Sequence, residues 1–344
     1  MTDNYGLGSD GYIAIQKETS PRTALTDYSN IKTLPVNFES FIKYYRENIE
    51  KKNLLGKRHK RKNDLGFEIV EGQIILDVYP TLFGYLLHLF LGNPSTNTAI
   101  AITDSNGDSQ NIGTSHVWKQ NLTNTEALNT FMIHQAFGSK IPEQFNFCIF
   151  NSMTLECEKG SNLKITLPVS HGHLDSKVLT RRTTFTYPAE SPINSSNIVI
   201  SEGTLNNINV HSFSLGIDLN YRKNEFFLGS SKESKAFFNG IPSINLSLNV
   251  DADKRFIDLA RNNTYNNFTI TMDSNLKLDA TQSNSRNYKI IINLPSCQLN
   301  PQTALEHSEE RLTMDLEFDC GFANDTNDES LFTFTVDDTI QTYT

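Results

Sequence analysis

The chain has little of what chemistry needs. It carries four cysteines, one tryptophan and no run of 18 or more apolar residues, and without such a run no segment spans a membrane as a helix. The longest apolar stretch, Leu82 to Leu91, is interrupted by Gly84 and His88 and predicts a buried helix. The opening Met-Thr-Asp-Asn-Tyr-Gly lacks a basic region followed by an apolar core, so no secretion signal is expected. There is no Gly-x-Ser-x-Gly, no His-Glu-x-x-His, no phosphate-cradling glycine loop and no dinucleotide fingerprint. Adjacent carboxylates such as Asp337-Asp338 read as a solvated turn, and no catalytic residue, cofactor or enzymatic role is expected. Cys148, Cys157, Cys297 and Cys320 form no Cys-x-x-Cys pair and sit in alternating patterns. Buried, reduced thiols are therefore favoured over disulfides.

Other weak signals dissolve on inspection. His171-Gly-His173 with Asp175 puts two imidazoles on alternating residues, but no third ligand sits at useful spacing, and zinc needs three or four. Turn-exposed histidines are expected there, and structural roles for His116, His134 and His211. The sequons at Asn121 and Asn267 reflect only a chain rich in Asn, Ser and Thr.

What is present is β-forming residue and uneven charge. The 344 residues include 22 Phe and 12 Tyr, and 20% of the chain is charged, ordinary for a folded protein. The net charge is −9, yet Lys43 to Lys62 holds nine Lys/Arg against two Glu, so one basic arm stands on an acidic body. Its core, Lys51 to Lys62, has no apolar period and is expected to be a long exposed loop; the whole basic loop is placed at about 43–66.

One pattern occurs twice. Ile74, Leu76 and Val78 alternate with Gln73, Ile75 and Asp77 and run into Pro80–Gly92; Ile244, Leu246, Leu248 and Val250 alternate with Asn245, Ser247 and Asn249 and run into Asp251–Arg261. Each is a period-two strand feeding a short helix, Thr81 to Leu91 and Asp253 to Arg261, expected to cover one end of a β-core. The greasier first helix is also a candidate for partial burial by a neighbouring subunit. The closing hairpins match as well: Asn151–Leu155 with Pro295–Leu299, and Leu163, Ile165, Leu167, Val169 with Leu312, Met314, Leu316, Phe318. Further strands are expected at Tyr12–Glu18, Ile31–Phe41, His116–Gln120, Phe131–Phe137, Phe145–Cys157, Val210–Asn220, Phe226–Leu228, Phe268–Met272, Tyr288–Leu299 and Leu331–Val336. Asn93–Thr114 reads as a polar loop, and Leu174–Ser201, with Pro188 and Pro192, as a connection between modules. The predicted fold is mainly β: two related β-sandwich or barrel domains, 1–180 and 181–344, each with one short flanking helix.

The order of these pieces resembles the major tail tube protein of long-tailed bacteriophages, in its duplicated form. It rests on Gly11–Thr19, the long loop after the second strand, Val70–Val78 feeding a helix, Ser115–Gln120, Phe150–Leu155 and Leu163–Val169. Pro21-Arg22-Thr23 departs from the glycine such proteins often place after the first strand. The resemblance implies a virion protein, made in the host cytoplasm, with no cofactor and no membrane partner. Three chains would form a ring with six quasi-equivalent domains, and rings would stack into a hollow tail alongside the tape measure and other tail proteins, passing double-stranded DNA without specific binding. Closing strands into a ring also removes exposed sheet edges.

On this reading the basic loop (Lys51, Lys52, Lys57, Arg58, Lys60, Arg61, Lys62) is an inter-ring or inter-subunit contact meeting acidic surface such as Glu309 and Glu310, or the Asp325–Glu329 segment. It lacks the interleaved aromatic residues of a nucleic-acid platform. The alternative is a carbohydrate- or receptor-binding β-sandwich of a tail or baseplate, which exposed aromatic loops would favour.

Overall fold

Residues of high β-propensity alternating with polar ones set most of the backbone. The computed structural model describes residues 11–18, 28, 30–49, 64–103, 109–119, 129–137, 142–175, 181–203, 208–221, 241–251, 256, 265–282, 284–300, 304–307, 312–321 and 331–343. In chain order come β1 (Tyr12–Lys17), β2 (Lys32–Leu34), β3 (Phe41–Ile49), β4 (Asp64–Asp77), α1 (Pro80–Leu91), β5 (Thr96–Thr103), β6 (Ser109–Lys119), β7 (Phe131–Ala136), β8 (Glu143–Phe150), β9 (Ser152–Glu158), β10 (Lys164–Ser170) and β11 (His173–Leu174). A 3-10 turn at Ser195–Asn197 leads to β12 (Ile198–Glu202), β13 (Val210–Asp218), β14 (Ser243–Asp251), β15 (Tyr265–Lys277), β16 (Asn287–Leu299), β17 (Ala304–His307), β18 (Leu312–Cys320) and β19 (Thr333–Asp338).

The strands form three connected antiparallel layers. The first runs β3-β4-β10-β9-β13-β14-β18-β17. The second runs β12-β15-β16-β19-β6-β5, and the third β2-β1-β7-β8-β11. The end of β8 hooks onto β10 (Phe150↔Val169), as the end of β16 hooks onto β18 (Leu299↔Phe318). Joints cross the middle of the chain at β9–β13 and β6–β19.

One face of the first sheet is core: Ile74, Leu76, Leu155, Ile165, Leu167, Leu215, Leu246 and Leu316 are all 0% exposed. They share one apolar cluster with α1 and the other two sheets. α1 starts on Pro80, where the missing N–H costs nothing, and ends at Gly92 with φ 92°, a left-handed value that suits glycine. It is buried nearly all round and packs against β8, β16 and β19. The helix is thus inside its own chain's core, not a cover over one end awaiting a neighbour; a helix apolar on every side can only rest where every side is covered. Of the second predicted helix only Phe256 is described; it is helical and buried, and the rest lies outside the described residues, as do Phe226–Leu228 and Pro21–Thr23.

The duplication holds in register. Ile165↔Leu76 and Leu167↔Ile74 are matched by Met314↔Val250 and Leu316↔Leu248. The hairpin β3–β4 is matched by β13–β14. The strand flanking β10, however, is repeated by β17 rather than by Pro295–Leu299: Leu155↔Ile165 corresponds to Leu305↔Met314. Leu299, at the end of β16, corresponds to Phe150. Alternation alone cannot tell a strand from its neighbour shifted along the chain.

Several expectations are corrected. Asn93–Thr114 is mostly the hairpin β5–β6; Thr98, Ile100 and Ile102 give it β-propensity although much of it faces solvent. The basic stretch is not loop throughout 43–66, because Lys43–Ile49 and Asp64–Gly66 are paired strand, with Arg46 and Lys43 bonded to Glu68 and Glu71. Cys297 and Cys320 are directly opposite across β16–β18, with Cα atoms 4.0 Å apart, and form a disulfide; Cys148 and Cys157 are free, buried thiols. Spacing along the chain gave no hint that a sheet would bring the first two together. His171 and His173 are buried, not turn-exposed, and His171 meets the Ser170 hydroxyl at 2.9 Å. Asp338 is also fully buried, at the end of β19.

Candidate functional site

The residues that alternate with the first sheet's core side chains form its second face. Across that face run Glu71, Gln73 and Asp77 (β4), Lys164, Thr166 and Ser170 (β10), and Thr154, Glu156 and Glu158 (β9). It continues through Ser212, Ser214 and Gly216 (β13), Asn245, Ser247, Asn249 and Asp251 (β14), and Asp315, Glu317 and Asp319 (β18). All are half-buried or exposed. A Cβ placed on Gly216 would meet nothing within 4 Å, so open space lies over the middle of the sheet.

The face is tied by short lateral hydrogen bonds. Asn249 Nδ2 donates to Asp315 Oδ1 at 2.6 Å, Asn162 Nδ2 to Asp77 Oδ2 at 2.9 Å, and Ser214 Oγ to Glu156 Oε1 at 3.3 Å; His211 Nε2 lies 2.8 Å from Asp251 Oδ1. Its strand lysines are Lys43, held 2.8 Å from Glu71, and Lys164. The result is a lattice of carboxylates, amides and hydroxyls bearing excess negative charge, which repels phosphate and holds water. No group of three or more metal-ligating side chains occurs among the described residues. Sequence reading had the signal, the polar members of the alternating strands, but could not tell which sheets have a second layer over them.

The sheet ends in two edges. Among the described strands, β3 pairs only with β4, and β17 only with β18. Such an edge can present unpaired N–H and C=O groups, but on β3 the Ile42 carbonyl accepts from Gln135 Nε2 at 2.8 Å and Ile42 is buried. Beside β3, Phe38 is 93% exposed, and Phe41 and Tyr45 are exposed with Lys43 Nζ 6.0 and 5.7 Å from their ring centres. β3 lies so close to β4 that a Cβ on Gly72 would strike the backbone of Phe41 and Ile42.

The sequence matches the family described as phage tail tube protein over residues 8–327. The chain belongs to that family. No curated protein matches it. A tail tube protein is a structural component of the virion tail, and a continuous sheet with one polar face suits such a part.

The basic-loop residues Lys51, Lys52, Lys57, Arg58, Lys60, Arg61 and Lys62 lie outside the described residues, as do Glu309, Glu310 and Asp325–Glu329. The isolated histidines of this tail tube protein are structural. His88 bridges Lys17 Nζ (2.7 Å) and the Gly92 carbonyl (3.1 Å), and burial, helped by the Lys17 charge, lowers its pKa to about 4. His134 bonds the Tyr12 hydroxyl and is likewise lowered to about 4, by burial and then by the Arg182 charge. At His116 burial opposes the charge, but bonds to Asp338 and the Ile340 carbonyl outweigh it and raise the pKa.

Proposed function

We propose that the chain assembles into rings, three chains giving six quasi-equivalent domains (1–180 and 181–344 in each), and that the rings stack into the hollow tail tube through which double-stranded DNA passes. The observation that carries this is the repeat inside the first sheet: β3-β4-β10-β9 is followed, already hydrogen-bonded, by its copy β13-β14-β18-β17. A sheet that continues itself once within a chain and, among the described strands, ends at β3 and β17 can continue between chains until it closes. Three such chains supply roughly 24 strands; at ~4.8 Å per strand the backbone circle is about 37 Å across, and wider once strands tilt. That leaves room for one duplex.

In this reading the acidic, hydroxyl-rich face lines the bore and the apolar face carries the outer layers. A wall short of cations forms few phosphate contacts, so DNA slides instead of binding. The role is structural, not enzymatic. The protein would fold in the host cytoplasm and contact itself, the tape measure protein and other tail proteins. The loop with Lys51, Lys52, Lys57, Arg58, Lys60, Arg61 and Lys62 would meet acidic surface of the next ring, such as Glu309 and Glu310; raised salt should then weaken stacking.

Negative-stain electron microscopy of the purified chain across concentration and salt tests the proposal. Hollow tubes or stacked rings are expected. Persistent monomers that instead bind glycans would favour a receptor-binding module.

A further inference from the structure

The two modules turn the same corner with different chemistry. In each, the end of a strand from another sheet hooks onto the first sheet: Phe150↔Val169 and Ile149↔Ser170 in one, Leu299↔Phe318 and Gln298↔Asp319 in the other. The residue after each hook makes the same bond, Asn151 N–H donating to the Pro168 carbonyl at 3.3 Å and Asn300 N–H to the Glu317 carbonyl at 2.7 Å. One step back along the same registers, Cys148 falls beside His171 and Cys297 beside Cys320. The Sγ atoms of Cys148 and Cys297 each lie 3.8 Å from the carbonyl three residues earlier. A glycine follows His171 and Cys320 alike, and a Cβ on Gly172 would strike Cys148 Sγ. The second corner is closed by a disulfide; at the first, Cys148 is a free thiol.

The strand that follows the corner also differs. β9, after the first hook, is paired on both sides, to β10 and to β13. β17, after the second, pairs among the described strands with β18 alone, and it lies between the two bonded cysteines. A strand with one neighbour opens more readily than a strand with two, and a covalent tie at the root of its excursion restricts the opened state. We propose that Cys297 and Cys320 are a redox latch on the end of the first sheet: as two thiols they let the β16 hook and β17 open together, and as a bridge they hold both. Closure is a two-electron oxidation for which a disulfide such as oxidised glutathione suffices. One cysteine thiolate displaces a glutathione to give a mixed disulfide, the second cysteine displaces the other glutathione, and the two thiol protons end on the departing glutathiones. Cys297 and Cys320 are buried, so a reducing thiolate reaches the closed bridge only when the corner opens. A chain that folds among reductants therefore carries the latch open and shuts it on reaching oxidising surroundings. The latch holds or fails whether or not the chain forms rings.

Hydrogen exchange read by mass spectrometry tests this on the whole chain, once reduced with a phosphine and once treated with oxidised glutathione. Alkylation after denaturation should find all four thiols in the first sample and only Cys148 and Cys157 in the second. Closing the bridge should slow exchange at Ser296–Asn300 and Ala304–His307 by roughly tenfold or more. The unbridged hook at Ile149–Asn151 should not change, and Ile165–Val169 should stay protected in both samples. Cys297→Ser/Cys320→Ser should exchange like the reduced chain under either treatment. Four reactive thiols after oxidised glutathione overturn the latch, as does a bridge that leaves these two segments unchanged. Protection lost throughout the reduced chain overturns it too, because the bridge would then support the whole fold and not this corner.

Discussion

Reversing the charge of the open face is the most searching perturbation of the bore assignment. Glu156, Glu317 and Asp319 stand exposed on β9 and β18; Ser214 and the exposed Lys164 flank Glu156, Ser247 faces Glu317, and Asn245 and Gln298 flank Asp319. Glu156→Lys/Glu317→Lys/Asp319→Lys should therefore fold, because no buried partner is orphaned. If three chains close a ring, each ring gains about nine reversed charges. A wall charge roughly 10 Å from the nearest phosphate feels about 0.4 kcal/mol in water, reduced to ~0.15 at 0.1 M salt, so each reversal is worth ~0.3 kcal/mol. Nine reversals come to about 3 kcal/mol per ring, roughly a hundredfold in DNA retention. The assay incubates open-ended tubes with a short fluorescent duplex, digests with nuclease, and counts the protected DNA. Wild-type tubes should protect almost none; variant tubes should protect it at 50 mM salt and release it by 200 mM, with the steep salt slope of phosphate contacts. Intact variant tubes that bind DNA accessible to nuclease, or none, would show that this face is not the bore.

The remaining predictions concern the body that supports the sheet. The Cys297–Cys320 bridge spans 23 residues, and its removal by Cys297→Ser/Cys320→Ser should cost about 3 kcal/mol, read as a melting point lower by about 5 °C in calorimetry; an unchanged melting point would argue for free thiols. Gly84→Ala, normally worth up to about 1 kcal/mol in a helix interior, should instead destabilise by about 1–3 kcal/mol. The new methyl would overlap the Tyr343 hydroxyl, which bonds Asp338, and hydrogen exchange should show the last residues loosened. His88 and His134 stay neutral in the fold down to about pH 4 but protonate near 6.5 when unfolded, so stability is complete above 6.5 and falls as pH drops toward 4. Allowing for solvent screening, denaturant titrations should lose about 1 kcal/mol for each between pH 7.5 and 5. His116 acts oppositely, its raised pKa adding stability at low pH, so His116→Gln should steepen that loss.

Much of the strand content and the existence of a repeat could be read in the chain, because alternation at period two is a local property that the strands express directly. Ile74–Leu76 and Ile244–Val250 read as strands and are strands. The largely apolar Leu82–Leu91 reads as a buried helix and is one. The β5–β6 hairpin was hidden because its strands are polar and half-solvated, so hydropathy treats them as loop. β17 escaped because four residues carry too little pattern, and with it went the true counterpart of β9.

The sequence by itself determined a β-rich, twice-repeated chain with an acidic body, since propensity, periodicity and charge runs are each set by residues near one another. Only the tertiary structure decided which polar rows face open space, that Cys297 meets Cys320, that α1 lies within the core, and that, among the described strands, the first sheet ends at β3 and β17. Those facts depend on which strand lies beside which and on what covers each face, and residues on different strands, such as Leu155 and Leu215, settle them only by meeting.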